Sequence, residues 1–128
     1  LQMRVIAFDP FLTDDRARQL GVERVTLEDL FKRADFITLH TPLTDGTRNL
    51  IDAKAMAAMK KGVRLINCAR GGLIVEKDLK AALDSGHVAG AALDVFEEEP
   101  ATSNVLFGHP NVICTPHLGA STSEAQVN

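Results

Sequence analysis

Tryptophan and tyrosine are absent from this sequence, and cysteine occurs only at Cys68 and Cys114. The two cysteines are far apart, lack the paired spacing of metal ligands and lie in or beside apolar runs. We therefore expect them to be reduced, buried residues of a cytoplasmic protein without a metal site. The sequence contains neither a signal peptide nor an apolar run near the roughly 18 residues of a membrane span, so nothing in it indicates secretion or membrane insertion.

The sequence also lacks an excess of basic over acidic residues. The chain carries 14 Lys and Arg against 17 Asp and Glu, for a net charge of −3. This balance gives no electrostatic basis for binding nucleic acid or an anionic membrane. The 128 residues, of which 45% are hydrophobic and 24% charged, suit one globular domain. Function must therefore be sought in the motifs.

Short apolar runs alternate with helical patterns along the whole chain. The runs predict buried strands at residues 3–9, 36–41, 63–67, 88–96 and 111–115, with a brief candidate at 22–25. Helices are expected from Asp14 to Gly21, after an N-cap at Thr26, at 52–60 and at 76–85. This alternation predicts an α/β fold with a doubly wound, Rossmann-like parallel sheet.

Polar residues follow several of the predicted strands. The segment 67–72, Asn-Cys-Ala-Arg-Gly-Gly, delivers Arg70 at a strand end, and its glycines allow positive φ or close approach to a ligand. Asp9, Thr41 and Asp94 end three other strands. Because ligands of open α/β sheets bind at the carboxyl ends of the strands, this edge is the expected functional cleft. The alternatives are a solvated Arg70, a turn-forming Asp9 and a structural His40.

Four motifs together resemble the D-2-hydroxyacid dehydrogenases. They are Asn-Cys-Ala-Arg-Gly-Gly from Asn67, Leu-His-Thr-Pro-Leu-Thr from Leu39, Ala-Leu-Asp-Val-Phe from Ala92 with the following Glu-Glu-Pro, and Thr-Pro-His-Leu-Gly-Ala-Ser-Thr from Thr115. The resemblance implies NAD-dependent oxidation of a 2-hydroxy acid, with 3-phosphoglycerate the first candidate substrate. Glyoxylate or hydroxypyruvate reduction, D-lactate oxidation and a non-catalytic NAD-binding or inert fragment are the alternatives.

The resemblance also implies roles for individual residues. Arg70 matches the arginine that binds the substrate carboxylate, and His117 matches the acid–base histidine. Glu99 matches the carboxylate that pairs with this histidine and raises its pKa.

On the NAD side, the implied roles run from the ribose to the nicotinamide. Asp9 holds the adenosine ribose and disfavours NADP. Thr41 lies along the cofactor, the backbone of Cys68 and Ala69 faces the nicotinamide, and Asp94 bonds the carboxamide. The loop of His117, Leu118, Gly119 and Ala120 closes over that end.

The chain departs from the family in its first part. A Gly-x-Gly-x-x-Gly turn is expected about twenty residues before Asp9, and only eight residues precede it. We therefore expect residues 1–128 to be a partial NAD-binding domain without a first strand and without substrate or regulatory domains. The missing central strand would come from residues outside this chain, from another chain or from strand exchange. The resemblance further implies a homo-oligomer formed through this domain.

Overall fold

A computed structural model describes residues 3–97 and 104–115 of the chain. Strands and helices alternate within these residues as the sequence predicts. The strands are β1 (Ile6–Ala7), β2 (Glu23–Arg24), β3 (Phe36–Leu39), β4 (Val63–Asn67), β5 (Val88–Leu93) and β6 (Val112–Cys114). The helices are α1 (Asp14–Leu20), α2 (Leu27–Arg33), α3 (Ala53–Ala58) and α4 (Glu76–Ser85). In the described part of the chain, none of the helices combines the length and the apolar character needed to cross a membrane.

All strand pairs are parallel, which confirms the predicted sheet type. Strands β3, β4, β5 and β6 form a four-stranded sheet in that order, and β1 pairs separately with β2. No ladder among the described residues joins β1 to β3. In the doubly wound order 3-2-1-4-5-6, the strands that correspond to β1 and β3 are neighbours of the central strand and not of each other.

Local capping chemistry sets most helix ends. Thr13 and Thr26 are the N-caps of α1 and α2, and each hydroxyl accepts a hydrogen bond from a backbone N–H three residues on. Gly21 and Gly86 end α1 and α4 with φ of 71° and 84°, a conformation that favours glycine. These four ends agree with the sequence prediction.

Other predicted boundaries are wrong. Helix α3 ends with Met59 as its C-cap, so Lys60, predicted as its last residue, lies outside the helix. The Lys60 ammonium instead contacts the Asp35 carboxylate at 2.8 Å. Strand β5 stops at Leu93, where its pairing with Cys114 of β6 ends, although the apolar run continues through buried Phe96. Apolar character alone cannot distinguish a strand from a buried loop.

The hydrophobic core lies on one face of the four-stranded sheet. Helices α2, α3 and α4 cover this face with side chains such as Phe31, Met56 and Leu79, which are all buried. On the opposite face Phe36 and Ile113 are 50% and 69% exposed. The sheet is therefore packed on one side within the described residues.

Candidate functional site

The carboxyl ends of the four paired strands lie at one edge of the sheet, where several of the predicted site residues follow them. After β5, the N–H of Asp94 donates to the Asn67 carbonyl at 3.0 Å, and after β6 the N–H of Thr115 donates to the Leu93 carbonyl at 3.0 Å. These bonds continue the parallel ladder beyond the last paired residues. The strand ends thus lie side by side, as the prediction of a common edge requires.

The loop that carries Arg70 is bracketed by the buried side chain of Asn67, which is 2% exposed. Its Oδ1 accepts from the N–H of Ala69 at 3.1 Å, and its Nδ2 donates to the Arg70 carbonyl at 2.9 Å. One amide therefore fixes both an N–H and a carbonyl of a three-residue turn. The backbone of Arg70 is held while its side chain reaches solvent.

Of the two roles expected of these glycines, the structure shows a positive φ at Gly72, and it gives Gly71 a packing role of its own. A Cβ on Gly71 would lie 1.7 Å from the carbonyl oxygen of Phe96, so the backbone of Gly71 packs directly on the loop that follows β5. Gly72 has φ of 93°, a conformation that L side chains rarely adopt. The Arg70 loop and the loop after β5 are therefore in backbone contact.

Arg70 itself is exposed, which both the ligand-binding interpretation and the solvated alternative predict. Among residues 3–97 and 104–115 no carboxylate forms an ion pair with its guanidinium. A guanidinium presents N–H groups in a fork that matches a carboxylate. Within the described part of the chain, Arg70 is thus an exposed cation at the edge of the sheet.

Asp94 lies in the same edge but is buried, with 4% exposure. Its Oδ1 accepts a hydrogen bond from the Thr115 hydroxyl, a contact that joins the ends of β5 and β6. The sequence predicted Asp94 as a cofactor ligand and did not foresee the bond to Thr115. The carboxylate therefore has a structural partner at the site.

Asp9, at the end of β1, is exposed and takes part in a turn. Its Oδ1 accepts from the N–H of Phe11 at 2.9 Å, the interaction that the turn-forming alternative predicted. Its Oδ2 is used in no hydrogen bond within the described residues. The turn and a contact with a ribose hydroxyl are thus compatible.

The two residues that follow β3, His40 and Thr41, differ in exposure. Thr41 is partly buried. His40 is exposed, and its Nε2 lies 3.2 Å from the Thr38 hydroxyl. The structure thus gives His40 a local polar contact, in line with the structural alternative.

The prediction of two buried cysteines is wrong for Cys68. Cys68 is exposed because it belongs to the loop after β4, whereas Cys114, in the last strand, is partly buried. Both are free thiols. Burial, aided by the negative charge of Glu76, raises the pKa of the Cys114 thiol.

Several predicted site residues lie outside the described residues. They are Glu99 and the C-terminal group of His117, Leu118, Gly119 and Ala120. Their roles stay predictions from the sequence motifs. Of the predicted site residues that the structure describes, Thr41, the Cys68–Ala69–Arg70 loop and Asp94 follow strands of the four-stranded sheet, whereas Asp9 follows β1 of the separate two-stranded sheet.

Sequence reasoning missed the residues that hold this edge in place. Asn67 was noted only as the first letter of a motif, although a buried asparagine at a strand end signals a loop-bracketing role. Glu76 was seen only as the start of a helix. Its partners Glu97 and Asn104 are distant in sequence, and no local signal could have found them.

These features define a Rossmann-like α/β domain with a parallel sheet and an exposed cation at the carboxyl edge of its strands. Residues 1–119 match the family model of the D-isomer specific 2-hydroxyacid dehydrogenase, NAD binding domain. The chain belongs to this family, and the resemblance found in its motifs is confirmed.

Relatives in the family are similar over nearly the whole chain. A D-3-phosphoglycerate dehydrogenase of Bacillus subtilis is 60% identical over 126 residues, which cover 98% of this chain and 24% of the relative. Another of Methanocaldococcus jannaschii is 54% identical over 125 residues, 97% of this chain and 24% of the relative. The chain thus spans about a quarter of the length of these relatives.

Solved structures support the fold. The holo form of Rhodotorula graminis D-mandelate dehydrogenase superposes with a TM-score of 0.89 at 39% identity, over 96% of this chain and 36% of that one. The NAD complex of a D-isomer specific 2-hydroxyacid dehydrogenase from Lactobacillus delbrueckii gives a TM-score of 0.85 at 34% identity, over 95% and 41% of the two chains. The Rossmann-like architecture predicted from the sequence is confirmed.

Proposed function

We propose that the whole protein carrying this chain catalyses the NAD-dependent oxidation of 3-phosphoglycerate to 3-phosphohydroxypyruvate, the first step of serine biosynthesis. The observation that carries the proposal is the 60% identity to a D-3-phosphoglycerate dehydrogenase over 98% of the chain. Solved structures of a D-lactate dehydrogenase and a glyoxylate reductase are 35% and 37% identical. These two activities are the alternatives, and a non-catalytic NAD-binding role is the third.

The described residues fit a dinucleotide at the carboxyl edge. Asp9 offers a carboxylate oxygen to ribose hydroxyls, and Thr41 adds a partly buried position after β3. The exposed Cys68 and the neighbouring Ala69 offer backbone to the nicotinamide half, with Asp94 near the carboxamide. When bound, NAD supplies the hydride acceptor.

In the proposed reaction Arg70 binds the substrate carboxylate with two N–H groups and so orients C2. His117 takes the proton of the C2 hydroxyl during oxidation and returns it during reduction. Glu99 pairs with His117 and orients the imidazole, while Leu118, Gly119 and Ala120 cover the nicotinamide end. Each role of the residues 99 and 117–120 rests on the motif match.

The chain forms part of a larger enzyme in this proposal. Residues 1–128 constitute a partial NAD-binding domain, and substrate and regulatory domains lie elsewhere in the protein. We further propose a cytoplasmic homo-oligomer that associates through this domain. The support for a larger enzyme is that the chain covers about a quarter of the relatives' length. Gel filtration of the whole protein with and without residues 1–128 tests the association.

The test of the reaction uses the whole protein and follows NADH absorbance. We expect 3-phosphoglycerate to be preferred over D-lactate and glycolate. His117→Asn should reduce kcat by about 10²- to 10⁴-fold and leave NADH affinity unchanged, because only proton transfer is removed. Arg70→Lys should mainly raise the substrate KM, because lysine lacks the bidentate fork.

Each outcome discriminates among the candidates. A preference for D-lactate or glycolate selects an alternative dehydrogenase. NADH binding without turnover of any 2-hydroxy acid selects the non-catalytic role. An unchanged kcat in His117→Asn contradicts the acid–base assignment.

A further inference from the structure

Glu76 is a buried acid for which the proposed reaction has no use. It is the first residue of α4 and is 8% exposed. Its Oε2 accepts from the N–H of Glu97 at 2.8 Å, and its Oε1 accepts from Nδ2 of Asn104 at 2.6 Å. Both carboxylate oxygens are thus engaged by residues more than 20 positions away. Such an arrangement compensates the cost of burying a charge.

The contact with Glu97 is reciprocal. The N–H of Glu76 donates to the Glu97 carboxylate at 2.9 Å, while the Glu97 N–H donates to the Glu76 carboxylate. Val75, the N-cap of α4, provides no side-chain hydrogen bond to the helix. Glu97 therefore supplies from outside the acceptor that a capping side chain normally supplies. The start of α4 and the loop after β5 are held together.

The hydrogen bonds that join Glu76 to Glu97 and Asn104 form a clamp. This clamp lies against the loop that carries Arg70. Gly71 packs on the peptide between Phe96 and Glu97, since a Cβ there would lie 2.2 Å from the Phe96 carbonyl carbon and 3.0 Å from the Glu97 nitrogen. A shift of Glu97 would therefore move the surface on which Gly71 rests. Asn67 holds the same loop from its other side through Ala69 and the Arg70 carbonyl. The backbone of Arg70 is thus supported from two directions.

We propose that Glu76 is a positioning residue: by clamping Glu97 and Asn104 it fixes the support of Gly71 and so places Arg70 for the substrate carboxylate. The inference rests on the proposed function. Glu76 touches neither substrate nor cofactor in this role. Its loss should therefore affect substrate binding far more than NADH binding.

The geometry permits an experiment in which the carboxylate of Glu76 and the amide of Asn104 are exchanged, so that the double variant keeps the net charge. In Glu76→Gln the new amide oxygen still accepts from the Glu97 N–H, but the amide nitrogen faces the Asn104 amide nitrogen, donor against donor. Adding Asn104→Asp restores an acceptor at that position. The new carboxylate also keeps the bond that Asn104 Oδ1 now accepts from the Leu106 N–H at 2.9 Å. The double variant therefore rebuilds the clamp with the bond direction reversed: the amide at position 76 donates, and the carboxylate at position 104 accepts.

Asp78→Asn is the matched control. Asp78 lies in the same first turn of α4, and its Oδ2 accepts from the N–H of Ala53 at 3.0 Å. This hydrogen bond joins α4 to α3 and does not involve the Arg70 loop. Its substitution removes one negative charge from the same helix end without touching Glu97 or Asn104.

The experiment measures kcat, the KM for 3-phosphoglycerate and the NADH dissociation constant in the whole enzyme. For Glu76→Gln we expect a KM raised about tenfold, in line with loss of one hydrogen bond to a charged group, with kcat and NADH affinity within about twofold. The double variant should recover most of the KM, and Asp78→Asn should not change it. If Glu76 had only a structural role, its substitution would lower stability without raising KM selectively over kcat and the NADH dissociation constant.

Amide hydrogen exchange at Ala69 and Glu97 gives a readout that does not need activity. Glu76→Gln should speed exchange at both amides, because without the Asn104 bond the side chain at position 76 holds the Glu97 N–H less firmly, and the double variant should slow it again. An unchanged KM and unchanged exchange at Ala69 overturn the proposal, as does a KM that the double variant fails to recover. If the unmutated enzyme oxidises no 2-hydroxy acid, the proposed function fails before any comparison, and exchange at Ala69 alone decides the coupling.

Discussion

At the scale of single residues, the two cysteines differ in exposure and chemistry. Cys68 is exposed on the loop beside Arg70, whereas Cys114 is partly buried in β6. Burial raises the pKa of Cys114, with the charge of Glu76 contributing in the same direction. A raised thiol pKa means a smaller thiolate fraction near neutral pH, and the thiolate is the nucleophile.

We therefore expect iodoacetamide to modify Cys68 well before Cys114 at pH 7.5. Raising the pH should narrow the difference, because Cys114 then forms more thiolate. Peptide mass spectrometry measures both rates, and Cys68→Ser serves as the control that reports Cys114 alone. Saturating NADH should protect Cys68 if its backbone faces the nicotinamide. Faster modification of Cys114 would contradict the assignment of exposure.

Residues also mark the limit of what the sequence predicts about the site. Arg70 was predicted as a site residue because an arginine between an apolar strand and two glycines is a local pattern, and the structure shows it exposed in the loop after β4. The Asp94–Thr115 and Glu76–Glu97 bonds each join residues 21 positions apart. Such contacts depend on strand register and loop packing, which no local pattern encodes.

At the scale of elements, one glycine joins two loops. A Cβ on Gly71 would meet backbone atoms of Phe96 at 1.7 and 2.2 Å, and backbone cannot move aside as a flexible side chain can. Gly46 is different, since a Cβ there meets only the Thr44 hydroxyl oxygen at 3.8 Å. The two positions form a matched pair for the same substitution.

We expect Gly71→Ala to lower the free energy of unfolding by about 1–3 kcal/mol through overpacking. Gly46→Ala should change it by no more than about 0.5 kcal/mol. Urea unfolding of the whole protein, followed by circular dichroism, measures both. The substrate KM should rise only in Gly71→Ala, because Arg70 is displaced with its neighbour. Equal stability of the two variants would contradict the close contact.

Elements differ in how well the sequence predicted them. The bounds of α4, Glu76–Ser85, were predicted correctly because helical periodicity and a C-terminal glycine are local signals. The end of β5 was predicted too late, since the apolar run continues into a buried loop through Phe96. Helices are specified by their own residues to a greater degree than strands, whose length depends on a partner.

At the scale of the whole molecule, two surfaces lack cover within the described residues. One face of the four-stranded sheet exposes Phe36 and Ile113 around a groove of about 380 Å³. Strands β1 and β3 are not joined by a ladder. Parallel sheets are normally buried on both faces, and unpaired strand edges recruit other strands.

We therefore expect the isolated 128-residue chain to self-associate as its concentration rises, with the sheet face as the contact. Sedimentation velocity over a hundredfold range of concentration measures this. Ile113→Lys should reduce association, because it places a charge on the face. Phe11→Lys is the control, since Phe11 is 91% exposed but lies outside the four-stranded sheet. A monodisperse monomer that melts cooperatively would contradict the expectation and would mean that both surfaces are satisfied within one chain.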